Sequence, residues 1–162
     1  MTTPTAHVPR SGESRFVRGV TCLALAWSVV SLAVHAYWAS GGTAALAGES
    51  VRGVLRAIDL AAIVLSVGAA VIALALIHPF GRRLPDWVLV VLTWIGAVAV
   101  ALRGGIGVGQ DILHLTNFPP IAQVADWFYL SGGILFGIAI VGFQLQRRSG
   151  RAGVIRAEGL GE

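Results

Sequence analysis

Between residues 19 and 145 the chain is a succession of long apolar runs broken by short polar segments, and the polar positions inside the runs recur at helical spacing. An α-helix rises about 1.5 Å per residue, so about 20 apolar residues cross a hydrocarbon core of about 30 Å. Four segments fit: Gly19–Trp38, Leu55–Ile77, Trp87–Leu102 and Trp127–Leu145. The third is the shortest, with room to extend into the glycines that follow. The pattern predicts an all-α integral membrane four-helix bundle at 18–145, a mobile N-terminal tail at 1–17 and a mobile basic tail at 146–162. No internal repeat is present.

The breaks differ in kind. In "HPFGRRLPD", Pro79 and Gly81 stop the second helix, Pro85 suits a helix start and Asp86 is placed to cap the third, which predicts an antiparallel hairpin of the second and third spans. In "RGGIGVGQDILHLTNFPPIAQVAD" the polar and glycine content predicts a long loop over 104–126, far above the usual connection of about 4–6 residues. Its "DILHLT" part reads as a short interfacial helix, Pro119 and Pro120 turn the chain back, and the whole is a candidate lid.

Ionisable side chains are costly in lipid unless they face a bundle interior or a wet cavity, so their phases matter most. Thr21, Ser28, Ser31 and His35 form one stripe, crowned by His35. Arg52, Arg56, Asp59 and Ser66 form a second, Thr93, Gly96 and Arg103 a third, and Asp126, Tyr129, Gly133 and Gly137 a fourth. Every span brings its polar end to the same side, where Gln110, Asp111 and His114 are also expected. Gly133 and Gly137, four apart, make a small-residue face that admits a helix partner or a second copy of the chain.

Composition agrees with a bilayer as solvent. The 162 residues are 56% hydrophobic and 12% charged, against about 25% charged in soluble domains, and the mean hydropathy is +0.77. A single cysteine, Cys22, excludes an internal disulfide framework and a CxxC pair. The pI of 10.6 reflects arginines that flank hydrophobic spans, so it reads as topology and not as a nucleic-acid surface. With both termini cytoplasmic, Arg10, Arg15, Arg18, Arg82, Arg83, Arg147, Arg148, Arg151 and Arg156 lie inside, against Arg52, Arg56 and Arg103 outside. Nine against three predicts a multi-pass protein of the cell membrane with both ends in the cytoplasm.

The stretch "HAYWASGG", Arg103, the segment "FPPIAQVADWFYLSGGILFG" and four spans of these lengths resemble a family of small actinobacterial membrane proteins catalogued as a domain of unknown function. The resemblance covers roughly residues 35–143. It implies a four-helix membrane fold and matches its HxxWAxGG-like element at His35, Trp38, Ala39, Gly41 and Gly42, with Arg103, Phe118 and Asp126 following. Gly132 and Gly133 depart from it, standing where the family often has a proline. No activity comes with the resemblance.

The candidate polar site therefore comprises His35, Trp38, Arg56, Asp59, Arg103, Asp111, His114 and Asp126. Each has a plainer reading. His35 suits an interfacial hydrogen bond, Asp126 suits a helix cap, Asp59 suits an ion pair with Arg56 or Arg103, and Arg52 and Arg56 suit headgroups. Trp38, Trp87, Trp127 and Tyr37 suit interfacial anchors. His35, Asp111 and His114 are imidazole and carboxylate donors, yet no HxxxH or HExxH spacing fixes a zinc geometry, so neither metal nor cofactor is expected. Three functions fit the pattern: an outward-facing site for a lipid-like or small anionic ligand, with proton transfer between His35 and Asp59 and Arg103 holding the anion; a non-enzymatic accessory or structural subunit; and a proton-coupled carrier working as an oligomer.

Overall fold

The computed structural model describes residues 11–43, 53–115 and 120–158. These residues fold into α1 (Ser11–Ala39), α2 (Val54–Ile77), α3 (Asp86–Ile112) and α4 (Pro120–Glu158), with a short 3-10 turn at Pro79–Arg83. All four helices are long and apolar enough to cross a membrane. Phe118, Pro119, Arg10 and Arg52 lie outside the described residues. Helix extends into both segments expected as tails, since α1 begins at Ser11 and α4 continues to Glu158.

Cross-helix pairs fix the directions. His35, late in α1, meets Asp59, early in α2, and Tyr129, early in α4. Arg103, late in α3, meets Asp126, early in α4, and Asp86 at the start of α3 meets Arg147 late in α4 at 3.1 Å. Helices α1 and α3 thus run one way, and α2 and α4 the other. Helix α1 lies against both α2 and α4, and α3 lies against α4. The expected α2–α3 hairpin is joined by its tight turn, but those two helices touch over only a short stretch.

Small side chains set this arrangement. Buried apolar positions include Ala24, Ala73, Ala75, Ala97 and Ala139, while large ones such as Val64, Leu65 and Ile95 point outward. Lipid is as apolar as leucine, so burying leucine against another helix gains little, whereas small residues let backbones approach and gain dispersion contact. Leu89, Phe136, Ile140 and Trp27 are large exceptions, and Trp27 makes the most cross-helix ring contacts. It stacks on Phe128 at 4.8 Å between ring centroids, and its indole N–H donates to the Phe128 carbonyl at 2.8 Å. Trp94, by contrast, is exposed.

The long loop expected at 104–126 is replaced by helix at both of its ends. Helix α3 continues through "GGIGVGQDI" to Ile112, and α4 starts at Pro120. Glycine costs about 1 kcal/mol relative to alanine inside a helix in water, but in lipid an unpaired backbone group costs more, so the helix persists. The glycines also seat α4: a Cβ on Gly104 would overlap the backbone of Leu130 and Asp126, and one on Gly107 would overlap the Asp126 carboxylate. At Gly133 the close approach is made by Ala101 of α3 within the same chain, while Gly137 faces open space.

Two helix ends explain further sequence features. At the end of α1 the Gly42 N–H donates to Tyr37 O and the Gly41 N–H to Trp38 O, both at 3.0 Å, with Gly41 at φ +100°. This double bond pattern satisfies the last carbonyls and requires a left-handed residue, which glycine adopts freely. The same closure ends α3, with His114 at φ 52° and the Leu115 N–H donating to Gln110 O at 3.0 Å.

Adding one methyl at Gly104 is expected to lower the stability of detergent-purified protein by about 1–3 kcal/mol, as overpacking does. Gly96→Ala, where nothing stands within 4 Å, should be neutral or raise stability by about 0.5–1 kcal/mol through reduced unfolded-state entropy. Thermal unfolding of the two variants checks this, and similar midpoints would contradict close α3–α4 contact.

Candidate functional site

The polar stripe of α1 faces inward as expected, with Thr21, Ser28, Ser31 and His35 all buried. Its lower members are satisfied locally. The Thr21 hydroxyl donates to Val17 O and the Ser28 hydroxyl to Ala24 O, each at 2.9 Å, and in α3 Thr93 donates to Leu89 O at 2.6 Å. Such back-bonding hides a hydroxyl within its own helix. Ser31 instead reaches Ser66 of α2 at 2.9 Å. One turn further on, the charged layer begins.

His35 stands at its centre. Its Nδ1–H donates to Asp59 Oδ1 at 2.5 Å, and its Nε2 lies 2.9 Å from the Tyr129 hydroxyl. With Nδ1 protonated, a neutral imidazole accepts at Nε2, so the phenol O–H of Tyr129 donates to it. The result is a chain of carboxylate, imidazole and phenol running across α2, α1 and α4. The ring of Trp38 stands edge-on to His35 at 5.5 Å. Asp59 Oδ2 is buried without a hydrogen-bond partner among the described residues.

A second pair adjoins the first. The Arg103 guanidinium donates from Nη1 to Asp126 Oδ1 at 2.5 Å and lies 5.6 Å from the centre of the Tyr129 ring. Asp126 is inside α4, six residues past its start, so it is an ion-pair partner and not the expected cap. Its carboxylate side chain is 4% exposed while that of Arg103 is 62% exposed. Only one edge of the Arg103 guanidinium is committed to the bundle. Tyr129 joins the two pairs, since its hydroxyl serves His35 and its ring carries Arg103.

The remaining sequence candidates fall outside this cluster. Arg56 is exposed on α2, and Asp59 pairs with His35 in place of Arg56 or Arg103. The two lie about 60° apart around the helix, yet Asp59 is buried and Arg56, one turn nearer the start of α2, is exposed. His114 is exposed and closes α3 with a left-handed backbone. Asp111 lies in the last turn of α3, one turn beyond Gly107, with both carboxylate oxygens buried and without a hydrogen-bond partner among the described residues. Among the described residues, no three His, Cys, Asp or Glu side chains are grouped as metal ligands would be. Gly96 does not share a buried face with Thr93 and Arg103.

Tyr129 is the member that residue-by-residue reading left out of the site. Its spacing from Asp126, one helical turn, was a visible signal, but nothing in the sequence tied its hydroxyl to a histidine 94 positions earlier. Comparison with protein-family models, with curated proteins and with solved structures finds no match.

A chain of buried hydrogen bonds makes neighbours energetically dependent. His35→Ala and Asp59→Ala should each destabilise the protein, and the double variant should lose less than the sum, with a coupling of about 1–2 kcal/mol. Tyr129→Phe should cost about 0.6 kcal/mol, the mean for one interhelical hydrogen bond in a membrane. Unfolding of the four proteins in detergent measures the cycle, and strict additivity would mean that the 2.5 Å contact carries no net energy.

Proposed function

We propose that this is a multi-pass protein of the cell membrane, with both termini cytoplasmic, whose charged layer faces the outer leaflet and receives a lipid-like or small anionic ligand. Arginine asymmetry between the two ends of the bundle supports the orientation. Membership of the actinobacterial four-span family belongs to the same proposal, resting on "HAYWASGG", Arg103 and Asp126.

The observation that carries the ligand reading is the posture of Arg103. Its guanidinium is anchored by buried Asp126 and by the Tyr129 ring, yet most of the side chain remains exposed. An arginine has five N–H donors in a planar fork, so several stay available to an incoming carboxylate or phosphate after one is spent on Asp126. A ligand held there lies beside the Tyr129 hydroxyl. That hydroxyl can pass its proton to His35 Nε2, and the imidazolium that forms is balanced by Asp59 on Nδ1. Proton transfer or isomerisation suits such a relay.

A second reading has its own support. All four helices contribute to the layer, α2 and α3 touch over only a short stretch, and both carboxylates of the layer, Asp59 and Asp126, are spent on ion pairs. On this reading the layer is a brace of a non-enzymatic accessory or structural subunit.

The two readings separate on retained ligand. Mass spectrometry of small molecules and lipids carried by the purified protein should find a species that Arg103→Gln retains at least about tenfold less, the value of a charge-assisted hydrogen bond of about 1.5–3 kcal/mol. Tyr129→Phe should keep that species. A brace predicts no such species, and a drop in thermal midpoint in Arg103→Gln as large as in Asp59→Ala.

A further inference from the structure

The opposite end of the bundle, where Asp86 meets Arg147, carries a feature unrelated to the His35 layer. Two adjoining depressions of about 180 Å³ and about 370 Å³ share Leu76, Ile77, Phe143 and Gln146 as walls. The first is closed by Val17, Arg18 and Thr21 of α1, and the second by His78, Pro79 and Arg147. Together they form one groove across α1, the end of α2 and the last membrane turn of α4. Its walls come from α1, the end of α2 with the turn that follows, and α4, and no α3 residue lines either depression.

Its chemistry is graded from one end to the other. Leu76, Ile77 and Phe143 make an apolar floor continuous with the lipid-facing surface, and Arg18, Gln146, His78 and Arg147 ring the mouth. Arg147 is held in place, since its guanidinium bonds Asp86 at 3.1 Å and lies 5.1 Å from the centre of the Phe143 ring. Arg15, Arg83 and Arg148 are exposed around the same end. Acyl chain below and anion above is the profile of a phospholipid, and the excess of positive charge selects an acidic headgroup over a zwitterionic one.

We infer that this groove is a binding site for one anionic phospholipid, with the headgroup phosphate between Arg18 and Arg147 and an acyl chain along Leu76, Ile77 and Phe143. Gln146 adds a neutral amide donor at the mouth.

Native mass spectrometry of the purified protein in neutral detergent, titrated with phosphatidylglycerol or phosphatidylcholine, tests the site. Phosphatidylglycerol is expected to bind one molecule per chain at least about fivefold tighter than phosphatidylcholine, the value of one arginine near an anionic surface. Arg18→Gln should erase about fivefold of that affinity, and Gln146→Trp, which fills the groove without removing a charge, should lower the affinity for both lipids. Arg148→Gln, outside the groove, should leave binding within about twofold, less than the value of a groove arginine. Equal binding of the two lipids, or equal losses in Arg18→Gln and Arg148→Gln, overturns the proposal. So does displacement of phosphatidylglycerol by millimolar inorganic phosphate, which would make the site one for a free anion.

Discussion

A polar group placed in hydrocarbon must find its partner within the protein, and this constraint organises the whole molecule. Water cannot complete the hydrogen bonds of a carboxylate or an imidazole at membrane depth, and leaving them unpaired costs several kcal/mol. The hydroxyls of Thr21, Ser28 and Thr93 meet the demand inside their own helices. His35, Asp59, Arg103 and Asp126 can meet it only across helices, so their requirements decide which helices stand beside which.

The same demand explains why polarity concentrates at two levels. At one end the Asp59–His35–Tyr129 chain and the Arg103–Asp126 pair tie α2, α1, α4 and α3 in sequence, with Tyr129 common to both. At the other end Asp86 and Arg147 tie α3 to α4, and α2 has no equivalent bond to α3 among the described residues. Between the levels small residues and the Trp27 aromatic contacts suffice. All four helices are therefore tied at one end, and only α3 and α4 are ion-paired at the other, where α1, α2 and α4 line the groove that holds Arg18 and Arg147.

The proposed function rests on which polar groups are left over once these pairs are made. His35 has both ring nitrogens engaged and Asp126 is spent on Arg103, so neither is free to meet a ligand first. Arg103 keeps unspent N–H groups on an exposed side chain, and Tyr129 keeps its hydroxyl on a relay that can accept a proton. On the proposed reading, exposed Arg103 meets the ligand first and the Tyr129–His35–Asp59 chain stands behind it.

The number of spans, the limits of the second, the inward phase of the α1 stripe and the gathering of His35, Asp59, Arg103 and Asp126 at one end were legible in the sequence. Hydrophobic length and helical period are local quantities, and a run of 20 apolar residues has few physical outcomes. Partner choice was not legible. Asp59 had two arginines within plausible reach and bonded a histidine, Asp126 looked like a cap and became an ion-pair partner, and "GGIGVGQDI" looked like a loop and became helix because α4 fits against Gly104 and Gly107. Each of these outcomes depends on the rotation and separation of two helices, quantities that no single segment contains. The sequence by itself determined that four helices would form and which ends would be charged; tertiary structure alone decided which charges meet, since in lipid that choice rests on backbone approach measured in fractions of an ångström.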